Sequence, residues 1–433
     1  MTEEAYLKYV DEGYKPKDEI IALYRIKPAE GFDIKEVAGA IASESSTGTW
    51  TTLYEWCDFE RVERLNAKAY EFVDLDDSHL VKIAYPLELF ERGSLTCLMA
   101  SIAGNVFGMR RVEGLRLEDV YLPKDFLKDF KGPLYGKEVR NIFGVYDRPI
   151  VGTVPKPKVG YTPEEIEKLA YELLVGGMDY VKDDENLTNQ DFCRFEERAK
   201  AIMKAIDKAE KETGEKKAWF ANITADVKEM ERRLKLVAEY DNPYVMIDVV
   251  IAGWSVLNHM RELANDYNLA IHAHRAMHSA FTRNRYHGIS MFVLAKLYRV
   301  TGVDQLHVGT AGYGKLEGGK EVVEYARVLR EDVYRPNDFH FEQNFHNIKP
   351  AMPVSSGGLH PGNLGGVIEA LGTEIVLQVG GGVMGHPDGA MAGARAVRQA
   401  LDAIKLGVPL DEYAKEHREL RRALEKWGYL KPI

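Results

Sequence analysis

From about residue 150 to 406 the chain alternates without interruption between short apolar runs and amphipathic segments. The apolar runs read as strands at 150–154, 179–181, 218–223, 245–250, 270–274, 305–308, 351–355 and 375–379. Helical periodicity predicts helices at 163–175, 191–212, 226–240, 254–266, 289–300, 319–330, 363–371 and 389–406. Eight strand–helix pairs over ~260 residues predict a (β/α)8 TIM barrel, for which about 250 residues is usual. An open doubly wound sheet is the competing arrangement. It is set aside because no G-x-G-x-x-G is read at the opening of a helix. A charged helix over about 411–427 follows the last pair.

The residues before the barrel follow another rhythm. A strand at 20–26 leads to a helix capped by Asp33 and running to about Ser43. Strands near 69–74 and 80–85 flank the acidic turn Asp76-Asp77, a helix covers 95–103, and a strand runs near 115–121. That βαββαβ order predicts a ferredoxin-like α+β domain. The expected domains are therefore 1–133, ferredoxin-like, and 134–433, the barrel with its helical tail. The net charge of −10 argues against a nucleic-acid partner. No apolar run approaches the ~18 residues of a membrane span, and the first residues lack the basic and apolar regions of a secretory signal. Three cysteines, Cys57, Cys97 and Cys193, form no metal-binding spacing. A cytoplasmic protein is expected, with neither nucleic acid nor membrane as partner.

A barrel places its chemistry where the strands end, and the unusual residues fall there. Lys156 and Lys158 follow the first strand between stiffening prolines. His272, His274, Arg275 and His278 end the fifth. His307 lies in the sixth, before the glycine-rich loop that carries Tyr313 and Lys315. The seventh runs into Ser356, Gly357 and Gly358, and the eighth into Gly380 and Gly381. Bare glycine N–H groups after strands seven and eight suit a phosphate. Arg275 and His307 suit a second anion across the mouth. Two such sites imply a small substrate phosphorylated at both ends. His272 reads as a satisfied core histidine. A zinc site on His272 and His274 lacks a third nitrogen or sulfur ligand nearby in sequence.

The second strand ends in Lys182-Asp183-Asp184-Glu185. Alternation puts Lys182 and Asp184 on one face and Asp183 on the other. Two carboxylates beside a loop suit a hard cation such as Mg2+. An ammonium cannot be a ligand, but a lysine that captures CO2 as a carbamate becomes an anionic oxygen donor. The plain alternative is a lysine neutralising its acidic neighbours.

Several segments carry a resemblance: Gly177–Asn186, His274–His278, Gly309–Gly318, Ser355–His360, Glu44-Ser45-Ser46-Thr47-Gly48-Thr49-Trp50 and Gly104-Asn105-Val106-Phe107-Gly108. In order and content they resemble the large subunit of ribulose-1,5-bisphosphate carboxylase/oxygenase (RuBisCO). Val154-Pro155-Lys156-Pro157-Lys158 and Ser356–Asn363 look most like its archaeal form III branch. The resemblance implies Mg2+ held by Asp184, Glu185 and a Lys182 carbamate formed from a non-substrate CO2. It makes that carbamate the base at C3 of the sugar, Lys156 the acid and base near C2, His274 a proton-transfer aid and Lys315 the stabiliser of the added carboxylate. Lys158, Arg275, His307, Ser356, Gly358, Gly380 and Gly381 would bind the sugar bisphosphate. Glu44, Thr49, Trp50 and Asn105 would complete the active site of a partner subunit, so a homodimer with shared sites is expected. Dimers can build a larger ring in this family, and no small subunit is expected.

The implied reaction enolises ribulose 1,5-bisphosphate, adds CO2 and cleaves the product to two 3-phosphoglycerates, with O2 attack as a side reaction. Form III resemblance places the substrate in nucleotide (AMP) ribose salvage. The chain departs from plant-type relatives by one extra residue between His307 and Lys315. A RuBisCO-like enolase or isomerase of another phosphorylated sugar is the alternative. It fits less well because Lys156, Lys315, Ser356 and His307 are all present. A non-catalytic barrel protein predicts losses among the acids and lysines that are not seen.

Overall fold

The computed structural model describes residues 4–51, 53–315 and 318–429. Leu316 and Glu317, inside the Gly309–Gly318 segment, lie outside the described residues, as do Met1–Glu3 at the start. The chain forms two compact units. The first comprises Met1–Lys131, Met277–Val300 and Glu331–Ile348; the second comprises Gly132–Ala276, Thr301–Arg330 and Lys349–Ile433.

In the first unit, strand Ile20–Pro28 pairs antiparallel with both His79–Tyr85 and Val112–Tyr121, and Lys68–Asp74 flanks His79–Tyr85. This is the strand order of a ferredoxin-like sheet, extended at one edge by the short strand Gly288–Ile289. Asp33 caps helix Ile34–Glu44, its carboxylate accepting from the Lys35 amide, and Ser94 caps Leu95–Ile102 through the Cys97 amide. Helix Met291–Thr301 belongs largely to this unit. The Lys296 ammonium is fully buried against the Asp119 carboxylate, and Ser290 Oγ donates to the Glu118 carbonyl at 2.7 Å.

The second unit is a closed barrel of eight parallel strands: Ile150–Thr153, Tyr180–Lys182, Ala218–Asn222, Tyr244–Asp248, Ala270–His274, Gln305–His307, Met352–Ser356 and Val376–Gln378. All eight expected strands are present. Closure also corrects one sequence reading. Gly380, Gly382 and Gly385 do have G-x-G-x-x-G spacing after the eighth strand. They surround only the four-residue helix Gly381–Met384, and the eighth strand pairs with the first, so no open sheet results.

The interior is filled by side chains, with Tyr180, Phe220, Tyr244, Met246, Met352, Val354 and Val376 buried together. Rings of Tyr180 and Phe220 stack at 3.9 Å, and Phe220 lies 4.2 Å from Tyr244. Val139, Phe143 and Val145 join this cluster from the connector before the first strand. Gly152 makes room for Tyr180, since a Cβ there would sit 2.5 Å from the ring. Gly152→Ala is expected to lower unfolding stability by about 1–3 kcal/mol through overpacking. A denaturant midpoint equal to wild type would contradict this packing account.

Candidate active site

Strand ends bring most of the expected residues to one mouth. Lys182 is the last residue of the second strand and is 1% exposed. Its ammonium donates to the Asp183 carbonyl at 2.8 Å. Asp184 is buried beside it, and its Oδ2 accepts from Lys156 Nζ at 2.7 Å. Lys158 Nζ lies 3.1 Å from Glu185 Oε1 and 3.7 Å from Asp184 Oδ1. His274 Nε2 lies 3.7 Å from Glu185 Oε2. Asp183 turns away, as alternation requires: it accepts from Trp219 Nε1, the Asn222 amide and Arg198 Nε. It therefore anchors the strand to the surrounding layer and is no candidate ligand.

Burial and charge compete at each of these groups. Burial lowers the Lys182 ammonium pKa, and the acids Asp248, Glu185, Asp184 and Asp183 only partly offset it. Burial raises the Asp184 carboxyl, but Lys156 and the Asn186 amide outweigh it and hold that group at about 2. Burial also works against ionisation of Glu185; the neighbouring His274 and its own amide keep it below the usual carboxylate range. The Lys158 ammonium is raised chiefly by its hydrogen bond to Glu185. Two ionised carboxylates thus lie within electrostatic reach of a lysine that burial pushes toward its neutral amine.

The same mouth gathers the remaining barrel residues. A Cβ on Gly380 would lie 3.5 Å from Lys156 Cε, so that lysine runs over the loop after strand eight. A Cβ on Gly309 would lie 3.5 Å from the Arg275 guanidinium. His307 Nδ1 is 2.7 Å from Ser356 Oγ. The loop carrying Lys315 is seated on the segment after strand seven: the Lys315 amide donates to the Gly357 carbonyl at 3.0 Å, and Asn363 Nδ2 donates to the Tyr313 carbonyl at 2.9 Å. Gly358 has φ +83° and no room for a Cβ beneath the Lys315 amide. Gly381 is open, with nothing within 4 Å of a notional Cβ.

Four expected residues belong to the first unit. Asn105 Nδ2 donates to Glu44 Oε1 at 3.3 Å, joining those two. Thr49 lines a pocket with Gly48, Leu53 and Trp56, and Trp50 is 74% exposed.

Sequence reasoning missed several polar groups at the same strand ends. Asp248, last in strand four, accepts from His274 Nδ1 at 2.6 Å. That bond puts the proton on Nδ1 and leaves Nε2 facing Glu185. Asn222, last in strand three, donates to the carbonyls of Asp184, Glu185 and Leu187 and so fixes the loop after strand two. Thr153 Oγ1 and Gln378 Oε1, at the ends of strands one and eight, are buried with no partner among the described residues. The signal for all four was position, a polar residue closing an apolar strand.

Among the described residues no three His, Cys, Asp or Glu side chains are placed to hold a metal ion. Asp184 and Glu185 offer two carboxylates, which water and substrate oxygens can complete around a hard cation, and the buried amine of Lys182 is near enough to interact with both. The donor set fits a hard cation, and a carbamate on that amine would add a further anionic oxygen to it.

A parallel barrel with lysines, carboxylates and a carboxylate-bound histidine converging at its carboxyl-terminal mouth defines a barrel enzyme. Comparison with known families gives its kind. Residues 137–427 match the ribulose bisphosphate carboxylase large chain, catalytic domain, and residues 8–126 match the corresponding N-terminal domain. The chain belongs to the RuBisCO large-chain family. A ribulose bisphosphate carboxylase of Archaeoglobus fulgidus is 70% identical over 437 residues, covering 99% of each chain. The dimeric archaeal Rubisco from Hyperthermus butylicus superposes with TM-score 0.94 at 59% identity, over 98% of this chain and 99% of that one. The octameric enzyme of Pyrococcus horikoshii gives 0.90 at 49% identity, over 98% and 97%. Among the described residues no helix is long and apolar enough to cross a membrane.

Proposed function

We propose that this chain is a Mg2+-dependent ribulose-1,5-bisphosphate carboxylase activated by CO2 on Lys182. The observation that carries the reading is the buried Lys182 amine beside two ionised carboxylates. When bound, the metal supplies Lewis-acid stabilisation of the enediolate. Lys182, once carbamylated, removes the C3 proton. Lys156 reaches the mouth from strand one and carries protons at C2. His274, oriented by Asp248, presents Nε2 for the hydration and cleavage steps. Lys315 faces the carboxylate added at C2. Arg275, His307 and Ser356 hold one phosphate side of the sugar, and Gly358, Gly380 and Gly381 the other, with Lys158 between Asp184 and Glu185.

The dimeric and octameric relatives support a homodimer in which Glu44, Thr49, Trp50 and Asn105 complete a partner's site. O2 would compete for the same enediolate. The form III likeness supports a supply of substrate from AMP ribose salvage. The purified protein, given Mg2+, labelled bicarbonate and ribulose bisphosphate, is expected to place label in 3-phosphoglycerate. Substrate consumption without label would instead mark a RuBisCO-like enolase or isomerase.

Asp248 offers a second check. Asp248→Asn keeps the shape but no longer imposes Nδ1–H on His274. Turnover should fall about tenfold to a hundredfold, with thermal unfolding little changed. Turnover within twofold of wild type would remove His274 orientation from the mechanism.

A further inference from the structure

The helix Arg418–Trp427, near the end of the chain, is fastened to the segment that follows strand eight. His386 is 5% exposed and donates from Nε2 to the Glu419 carbonyl at 2.9 Å, while its Nδ1 accepts from the Asp388 amide at 3.1 Å. Lys426 Nζ donates to the Gly385 carbonyl at 2.5 Å. The Asp388 carboxylate lies 3.5 Å from Arg418 and 3.7 Å from Arg422. Gln399, in helix Ala390–Leu406, holds the start of the helix: it accepts from the Leu420 amide at 2.9 Å and donates to the Glu419 carboxylate at 2.8 Å.

The same helix ends against the segment after strand seven. A Cβ on Gly362 would lie 1.9 Å from the Gly428 carbonyl oxygen, so the two backbones touch. The Trp427 ring joins the two segments. Its centroid is 5.8 Å from that of His360, and a Cβ on Gly385 would lie 3.4 Å from Trp427 Cζ2. His360 is 5% exposed and burial lowers its pKa, so the pair packs as uncharged rings. The segments also meet directly: a Cβ on Gly382 would lie 2.2 Å from the Leu359 carbonyl oxygen. Glycine has the widest backbone freedom and no side chain to hold a loop in place. The amides of Gly358, Gly380 and Gly381 stay converged on one anion only while both segments are held from outside. We propose that Trp427 is a positioning residue that sets the spacing of the two glycine segments, and with it the affinity of the mouth for a phosphate. This rests on the reading that those glycines take one phosphate of the substrate. Trp427 acts through the segments, not on the ligand.

Amide hydrogen exchange on the full chain, with inorganic phosphate as the probe, reads this without turnover. Phosphate should slow exchange over residues 380–384 in the wild type. Trp427→Ala should speed exchange over 357–363 and 380–388 before phosphate is added, and should need about tenfold more phosphate for the same protection. The loop after strand two should exchange as in the wild type. With ribulose bisphosphate, KM should rise about tenfold while kcat changes by less than about threefold. Trp427→Phe keeps a ring against Gly385 and His360 and should recover most of both losses. Lys426→Met removes only an exposed bond to Gly385 and should shift both readouts the same way by about twofold. It decides the matter if Trp427→Ala does not fold. Phosphate protection that is absent from the wild type, or unchanged in these variants, overturns the proposal. So does faster exchange throughout the barrel, with kcat and KM lost together and no recovery in Trp427→Phe, which marks a general packing role. Wild-type protein that makes no 3-phosphoglycerate fails the carboxylase reading alone, because phosphate protection still judges this one.

Discussion

Lys182→Arg is expected to lose carboxylation by at least about a thousandfold, roughly 4 kcal/mol of transition-state stabilisation. Arginine keeps the positive charge beside Asp184 and Glu185, so an ordinary charge-neutralising role would survive. It cannot supply a neutral amine, because guanidinium stays protonated. CO2 capture needs that amine: the lone pair attacks the carbon and a proton leaves. An unperturbed lysine has a pKa of about 10.4, so well under one per cent is neutral near pH 8. Burial lowers the Lys182 value and raises the neutral fraction. The sign follows. Activation by CO2 should rise with pH as the ammonium loses its proton, then level off below the pH at which a solvent-exposed lysine would. Measured as initial rate after preincubation with CO2 and Mg2+ at each pH, the wild type should show that rise. A 13C carbamate signal after 13CO2 treatment should appear in the wild type and be missing from Lys182→Arg. Full turnover in a folded Lys182→Arg protein would end the carbamate mechanism.

How much of this is legible in the sequence depends on the range of the interaction. Period-2 and period-3.6 patterns are local, and the barrel strands can be read to within a few residues of their ends. The strand rule also places Lys182 and Asp184 together and turns Asp183 away. What a buried face packs against is not local. Helix Met291–Thr301 shows an apolar pattern wherever it sits, but its buried Lys296 meets Asp119, 177 positions earlier. Asp248 escapes notice because helix Val249–Ala252 begins directly after it, leaving no polar loop to draw attention. His272 reads as a satisfied core histidine, and its bonds to Gln305 and His307 agree. Those partners lie on the next strand of the barrel, so only the pairing of strands five, six and seven shows that the bonds continue to Ser356. The extra loop residue before Lys315 is visible in the sequence, but its seat is not. The Tyr313 ring lies over Gly366, where a Cβ would come within 2.1 Å of it.

Asp304→Ala should be the most damaging single change to stability. Asp304 directly precedes the sixth strand and is fully buried. Its Oδ1 accepts from the Tyr135 and Gly136 amides at 2.6 and 2.9 Å. Its Oδ2 accepts from Arg261 Nη1 and the Ile271 amide, both at 2.8 Å. One carboxylate therefore ties the connector before the first strand to strands five and six. Arg261 is 2% exposed; burial lowers its pKa, and Asp304 is the charge that opposes this. Alanine would leave a buried guanidinium without its counter-charge, a loss of about 3–5 kcal/mol, and three amides without an acceptor, each about 1–3 kcal/mol when buried. These losses overlap, yet even the first is a large part of a typical 5–15 kcal/mol of net stability, as an order-of-magnitude guide. The expected result is a lower denaturant midpoint, or insoluble protein. Adding Arg261→Leu removes the stranded charge and should recover part of the loss, because the two residues are coupled. A single variant as stable as wild type, or a double variant no better than the sum of its parts, would show that this carboxylate does not hold the barrel's amino-terminal end together.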